Sequence, residues 1–145
     1  MKNAHIFLWL SLILLVGCGG DSTTTGDTVS VTACNTLEAM LAETTQAAVS
    51  RSETAFFNDA AGTSGEFGCV LTVQTRESKV GDFMSLAAAL REGMIADGWQ
   101  GSPLASADDA STTHSRHTKS GLVATLTVST EGEAITVRIN VTAFP

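Results

Sequence analysis

The sequence predicts an α+β fold in which two helices pack on one face of an antiparallel sheet, in the order α-β-β-α-β-β-β. Two segments carry apolar residues at helical spacing, and the last third of the chain alternates apolar with polar residues on both sides of a turn. The chain has 145 residues, which is enough for one folded domain of ordinary size.

The first helix is predicted over residues 36–51. Asn35 and Glu38 have the spacing of a capping box, in which the two side chains bond each other's backbone N–H groups. The face of this helix that is expected to meet the sheet consists of Leu37, Met40, Leu41, Thr44, Ala47 and Ala48.

The second helix is predicted over residues 80–97. Its apolar stripe consists of Phe83, Leu86, Ala87, Leu90 and Met94. Gly98 stands where a C-capping glycine belongs. Trp99 follows it, and we expect its ring to enter the core as the chain returns to the sheet.

The first hairpin is predicted from residues 55–57 and 66–74, with residues 58–65 as a loop rich in Gly, Asn and Asp. Residues 101–113 are predicted to form a polar loop after the second helix, and residues 114–119 are a candidate strand.

The last hairpin is the clearest element of the sequence. Residues 122–128 and 135–143 alternate apolar with polar side chains and flank a turn at residues 130–133. One face is expected to be apolar and the other to be solvated and rich in Thr, as is common for antiparallel sheets.

The acidic charge balance disfavours two classes of anionic partner, nucleic acids and anionic lipids. Lys+Arg number 8 and Asp+Glu 15, for a formal net charge of -7, so a nucleic-acid binder and an electrostatic grip on anionic lipid are both disfavoured. The chain is 43% hydrophobic and 16% charged, which is too apolar for a disordered protein of the high-charge kind.

The N-terminus has the pattern of an export signal. Lys2 precedes an apolar run over residues 6–16, which is too short for a comfortable transmembrane helix. The run ends in Leu15-Val16-Gly17-Cys18, which resembles the lipobox of bacterial lipoproteins. The resemblance covers residues 1–18, and the rest of the chain resembles no family that we recognise.

The lipobox resemblance implies a lipid anchor and a cellular location. In that family the Cys thiol is coupled to a diacylglycerol, the signal peptide is cut before it, and the new amino group is usually acylated. Residues 1–17 would then be the signal peptide and Cys18 the lipidated residue, held stably because two or more chains insert. Gly19, rather than Asp, follows it, which by analogy with enteric lipoproteins implies an outer-membrane anchor with the domain facing the periplasm.

Residues 18–31 are expected to form the lipidated Cys and a flexible tether, and residues 32–145 the periplasmic domain. Residues 19–27 contain no apolar side chain, and chains of Gly and small polar residues behave as flexible coils. The tether would lift the folded domain off the lipid headgroups.

Cys34 and Cys69 remain if the lipid takes Cys18. Two cysteines in an exported chain predict a disulfide. In the chain-entropy model, closing the loop between them stabilises the folded state by about 3.5–4 kcal/mol. Two free thiols or a redox pair are the alternatives, although the wide spacing is unlike a C-x-x-C motif.

His114, His117 and Asp108 are weak candidates for a metal site. His114 and His117 are three residues apart, so on a strand they would point to opposite faces. A zinc site also needs a further strong ligand. A solvated polar strand is therefore the favoured interpretation, no metal is predicted, and the absence of phosphate-binding Gly motifs leaves no predicted cofactor.

The Thr-rich face of the last hairpin is the candidate binding surface, through Thr125, Thr127, Arg138 and Asn140. An ordinary solvated sheet face is the alternative. No G-x-S-x-G elbow, spare thiol or paired carboxylates in a cleft point to catalysis.

The sequence therefore predicts a non-catalytic binding or accessory module of the cell envelope, anchored by lipid and docked on a protein partner. Two other hypotheses stay open. One is a small-ligand or metal carrier. The other is a hydrolase inhibitor that inserts an exposed loop, either residues 58–65 or residues 102–113.

Overall fold

The computed structural model describes residues 24–58 and 63–143. Within them the chain forms three helices and six strands. The elements are α1 (Thr24–Thr45), β1 (Ser50–Asn58), β2 (Thr63–Arg76), α2 (Glu77–Val80), α3 (Phe83–Ala96), β3 (Gln100–Asp108), β4 (Thr112–Lys119), β5 (Leu122–Glu131) and β6 (Ala134–Ala143). The predicted α+β class is confirmed, since the helices pack against an antiparallel sheet.

The strands lie in the order β1-β2-β6-β5-β4-β3, and every neighbouring pair is antiparallel. Strands β3 to β6 are consecutive hairpins, and β2 joins them by pairing with β6. Ser120 and Gly121 form the two-residue turn between β4 and β5, with φ of 49° and 77°. Positive φ at both central residues is the type I′ geometry that matches the twist of paired strands.

One face of the sheet is the core. Side chains alternate along a strand, so the predicted apolar rows of the last hairpin are buried while their neighbours, apart from Val123, are not. Helices α1 and α3 cover this inner face with the apolar side chains that the helical spacing predicted: Leu37, Leu41, Leu86, Ala87, Leu90 and Met94. Trp99 is 2% exposed within the same cluster, as predicted.

Helix α1 differs from its prediction at both ends. It begins at Thr24 and ends at Thr45, where Gln46 adopts a positive φ of 50° and the chain turns toward β1. The capping box is wrong, because Asn35 and Glu38 lie inside the helix and both accept hydrogen bonds from Arg51 of β1. Their four-residue pattern therefore marks a contact with the sheet.

The predicted coil is also wrong for residues 24–31, which are helical, while residues 18–23 lie outside the described residues. Once a helix has nucleated, each further residue adds a hydrogen bond at little extra entropy. The turns of Leu37 and Leu41 are fixed by burial against the sheet, and Val31 on the extension is 46% exposed.

The second predicted helix is divided at Gly81 into α2 and α3. Asp82 caps α3, since its carboxylate accepts from the backbone N–H groups of Met84 and Ser85 at 3.1 and 3.0 Å. The predicted end at Gly98 is confirmed. Gly98 N donates to Ile95 O and Trp99 N donates to Met94 O, which are the two bonds of a Schellman motif.

Strand β3 was predicted as loop. Pro103 and the polar composition of residues 101–113 hid it, but β3 is an edge strand, where a missing N–H is tolerated. Its pairing with β4 shifts register between Ser102 and Ala107, in the stretch that contains Pro103. The candidate strand over residues 114–119 is confirmed as part of β4. Among the described residues, none of the helices is long and apolar enough to cross a membrane.

Candidate functional site

The four residues of the predicted binding surface lie together on the outer face of the sheet, opposite the core. Thr125 of β5 pairs with Asn140 of β6, and Thr127 pairs with Arg138. The same register on β4 adds His114 beside Thr127 and Arg116 beside Thr125. We call these six residues the polar face: His114, Arg116, Thr125, Thr127, Arg138 and Asn140.

Hydrogen bonds order the side chains of the polar face. Arg138 Nε donates to Asn140 Oδ1 at 3.1 Å, and His114 Nδ1 lies 3.1 Å from Thr127 Oγ1. Within β4, β5 and β6 the sole acidic residue is Glu131, at the last position of β5. On a chain of net charge -7, the polar face thus has two guanidinium groups and no acidic residue of its own, and the carboxylates of Asp108 and Asp109 interact with His114 at its edge.

The structure does not bring the three weak metal candidates together. His114 is exposed on the outer face, whereas His117 is 2% exposed on the inner face, as the strand geometry predicted. Asp108 accepts a hydrogen bond from Arg91 at 3.0 Å and another from the Thr113 hydroxyl. In the described part of the chain no group of three or more His, Cys, Asp or Glu residues is placed to hold a metal ion.

The inner row of β4 corrects the expectation of a fully solvated strand. Thr113, Ser115 and His117 are buried, although Arg116 and His114 between them are exposed. Arg91 of α3 reaches this row and donates to Thr113 Oγ1 as well as to Asp108. We call these residues the buried polar cluster: the buried Thr113, Ser115 and His117, with the half-buried Arg91 and the exposed Asp108 at their edge. The alternation along β4 was a signal for the buried row of this strand, but not for the contact that Arg91 makes with it.

The buried polar cluster contains a Ser–His contact without access to solvent. Ser115 Oγ lies 3.0 Å from His117 Nε2, a distance that a nucleophile and its base would need. However, the two residues are 4% and 2% exposed, and the Asp108 carboxylate binds Arg91 and Thr113. A buried hydroxyl that substrate does not reach has the role of a structural partner for the imidazole.

Burial sets the protonation of His117. Desolvation lowers the pKa of the His117 imidazole below its usual value, and the positive charge of Arg91 lowers it further. His117 Nδ1 is shielded and has no partner among the described residues. The pKa of Asp108 is lowered as well, first by the hydrogen bond from Thr113 and then by the one from Arg91. The cluster therefore contains the Arg91–Asp108 ion pair and, near neutral pH, His117 as a neutral ring.

Much of what the structure describes of the two loops of the inhibitor hypothesis is strand. Of the predicted loop over residues 58–65, Asn58 ends β1 and Thr63 begins β2, and residues 59–62 lie outside the described residues. Of the loop over residues 102–113, only residues 109–111 lie between β3 and β4. There the Asp109 carboxylate accepts from the N–H groups of Ser111 and Thr112, which lowers its pKa.

The predicted cysteine pair is confirmed at disulfide distance, with Sγ of Cys34 and Cys69 2.02 Å apart. The bridge joins α1 to β2 inside the core, where both residues are buried. The lipobox and Cys18 lie outside the described residues.

Comparison with known proteins found no match: no family model, no curated protein and no solved structure matches the chain.

Proposed function

We propose that the protein is a lipoprotein of the bacterial cell envelope that acts without catalysis, by docking a partner protein on its polar face. The observation that carries the docking proposal is the ordered, carboxylate-free area of Arg138, Asn140 and Thr127 on a strongly acidic chain. The partner surface that complements it is acidic, because opposite potentials steer encounter and fix register.

The membrane anchor of this proposal rests on the Leu15-Val16-Gly17-Cys18 pattern. Gly19 after the cysteine supports the outer membrane as the destination, with the domain on the periplasmic side. A replacement Cys18→Ser should move the protein from the membrane to the soluble fraction and remove the mass of the lipid. Ser22→Ala is the matched control and should leave both unchanged. A membrane-bound Cys18→Ser protein would contradict the anchor.

The docking surface can be tested in cells with the full lipidated protein. A photo-crosslinking amino acid at Thr127 should capture one dominant envelope protein, and the same probe at Ala88, on the exposed side of α3, should not. Arg138→Glu reverses the charge at the centre of the polar face and should reduce the Thr127 product about tenfold or more.

Two results would contradict the docking proposal. Identical crosslinks from Thr127 and Ala88 would show that capture does not depend on the polar face. Turnover of an ester, peptide or glycan substrate by the purified protein would contradict the absence of catalysis.

A further inference from the structure

Helix α1 starts beside one particular end of the sheet. Its disulfide joins Cys34 to Cys69 of β2, and Cys69 pairs with Val141 near the end of β6. Ala47, just after the other end of α1, lines the same cavity as Ala134, the first residue of β6. The helix and β6 therefore run in opposite directions, and the start of α1 lies where β6 finishes.

The β4–β5 turn and the last turn of α3 lie at this same end. Leu122, the first residue of β5, pairs with Ala143, the last residue of β6. Lys119, at the end of β4, donates from Nζ to the carboxylate of Asp97, which directly follows α3, at 2.8 Å. We call this end of the domain the anchor end, and it comprises Ile95, Asp97, Gln100, Lys119, Ser120 and Gly121.

Little chain separates the anchor end from Cys18, the proposed site of lipidation. The backbone is helical from Thr24, so residues 19–23 are the whole connection between the two. Because a chain extends by at most about 3.6 Å per residue, Thr24 lies within about 22 Å of Cys18. The helix rises about 15 Å more from Thr24 to Cys34. The lipid therefore holds the anchor end near the membrane, and the opposite end of the sheet is about 30 Å farther along β3.

The anchor end carries the most exposed large apolar side chain among the described residues. Ile95, in the last turn of α3, is 57% exposed, whereas Met84, in its first turn, is 40% exposed. Val31, on the part of α1 that precedes the bridge, is 46% exposed. Transfer of apolar side chains out of water is favourable, and the boundary between lipid headgroups and acyl chains accepts them. Ile95 and Val31 are thus exposed on the side of the domain to which the tether brings lipid.

Charge does not favour contact between the anchor end and lipid. Lys119 is already paired with Asp97. Asp21 and Asp27 stand between Cys18 and the bridge, and the sequence there has no basic residue. Anionic lipid attracts clusters of Lys and Arg, which this segment does not contain. The contact therefore has to come from the short tether and from apolar side chains, and it should not depend on anionic lipid.

We propose that the anchored protein stands on the lipid surface on its anchor end, with Ile95 against the headgroups and the β3–β4 turn directed away from the membrane. The proposal rests on the lipid anchor at Cys18 and adds a second contact with the membrane. It leaves the polar face open at the side of the standing domain, because that face lies on the surface of the sheet that α1 and α3 do not cover.

Fluorescence quenching by lipid measures this orientation. The lipidated full chain is reconstituted into vesicles of phosphatidylethanolamine and phosphatidylglycerol that contain a lipid with a quencher on its headgroup. A fluorophore is attached to Gln100→Cys at the anchor end or, as the matched control, to Ala110→Cys in the β3–β4 turn, both at exposed positions. The Gln100 probe should be quenched at least about threefold more strongly, since the two positions lie about 30 Å apart along β3.

Three further changes test the parts of the proposal. Ile95→Ser should reduce quenching of the Gln100 probe by about half, whereas Met84→Ser, at the other end of α3, should not change it. About twelve Gly and Ser residues inserted after Gly20 should reduce the difference between the two probes to less than about twofold, because the longer tether no longer holds the anchor end at the surface. Vesicles of phosphatidylethanolamine and phosphatidylcholine should give the same difference as the anionic vesicles.

Flotation of the vesicles separates failure of the orientation from failure of the anchor. Protein that does not float with the vesicles, as expected for the Cys18→Ser control, would contradict the lipid anchor and this inference with it. Protein that floats but shows equal quenching of the two probes, or stronger quenching at Ala110, would overturn the orientation alone. A difference seen only with phosphatidylglycerol, or equal effects of Ile95→Ser and Met84→Ser, would overturn the apolar contact.

Discussion

Helices α1 and α3 lie on the same face of one sheet but are attached to it by different chemistry. Helix α1 packs on β2 and β6 through Leu37 and Leu41, and Cys34 joins it to Cys69 of β2. Helix α3 packs on β5, β4 and β3, and beside its apolar stripe Arg91 enters the buried polar cluster. One attachment is apolar and covalent, and the other depends on ions, hydroxyls and an imidazole.

The difference begins in the inner rows of the strands under each helix. Under α1, Leu71 and Val73 of β2 pair with Ile139 and Val137 of β6, whereas the inner row of β4 under α3 consists of Thr113, Ser115 and His117. Burial of the apolar pairs is favourable in itself, whereas burial of the polar row is tolerated only where its polar atoms find partners. The α1 side is therefore expected to withstand acid better than the α3 side.

The largest expected effect removes the covalent attachment of α1. Replacing both Cys34 and Cys69 by Ala should lower the free energy of unfolding by about 3–4 kcal/mol, since the unfolded chain regains the entropy of a 35-residue loop. Urea denaturation measures it. Reductant should have a similar effect on the parent protein and none on the double variant. If neither the double replacement nor reduction of the parent protein changed the urea midpoint, a stabilising bridge would be contradicted.

The apolar attachment could be predicted from sequence and the polar one could not. Helical spacing identified Leu37, Leu41, Leu86 and Leu90, because apolar burial follows from period alone. The ends of α1 were missed because tertiary contacts reassign capping residues, as Arg51 does with Asn35 and Glu38. Strand β3 was missed because nothing local distinguishes an edge strand with Pro from a loop.

The sites divide in the same way. Alternation placed Thr127 and Arg138 on one solvated face of the sheet. The three-residue spacing of His114 and His117 correctly predicted that these two side chains lie on opposite faces. The buried polar cluster requires Arg91 to reach β4 from another element, and such a long-range contact has no local signal. A cavity likewise lies where the end of β2 and the adjacent α2 meet the β5–β6 hairpin, which is distant from them in sequence.

The next largest effect on stability comes from removing the charge of Arg91, which attaches α3 to the sheet. Arg91→Met keeps the aliphatic stem and removes the hydrogen bonds to Asp108 and Thr113. It should lower the melting temperature by about 5 °C, less than the bridge, because Arg91 is 26% exposed and water replaces part of the loss. Lys79→Met, on the exposed surface of α2, is the control. A melting temperature equal to that of the control would contradict a structural role for Arg91.

Acid should weaken the α3 side through His117. Because its folded pKa is depressed, the neutral ring is favoured by folding, and stability is complete above the unfolded pKa of about 6.5. As the pH falls below that value the unfolded state takes up the proton first, so the free energy of unfolding drops by at most about 1.4 kcal/mol per pH unit. Urea midpoints between pH 7.5 and 5 measure this.

Two variants identify the titrating group. His117→Gln should flatten the decline between pH 6.5 and 5, whereas His114→Gln, exposed on the polar face, should retain it. Arg91→Met should make the decline less steep, since the guanidinium helps to depress the pKa of His117. Any loss of stability below about pH 3.8 has another source, namely protonation of Asp82, Asp108 and Asp109, whose pKa values are lowered in the folded protein. An unchanged decline in His117→Gln would assign the acid sensitivity elsewhere.

The smallest effect compares how the two helices end. The chain leaves each helix through a residue with a positive φ angle, which is Gln46 after α1 (50°) and Gly98 after α3 (89°). A side chain there is strained and glycine is not. Gln46→Gly should therefore raise the free energy of unfolding by about 0.5 kcal/mol, and Gly98→Ala should lower it by about 1 kcal/mol. Urea midpoints that move in the same direction for both variants would contradict this account of the helix ends, whereas opposite signs would show that α1 tolerates strain that its bridge and apolar face offset.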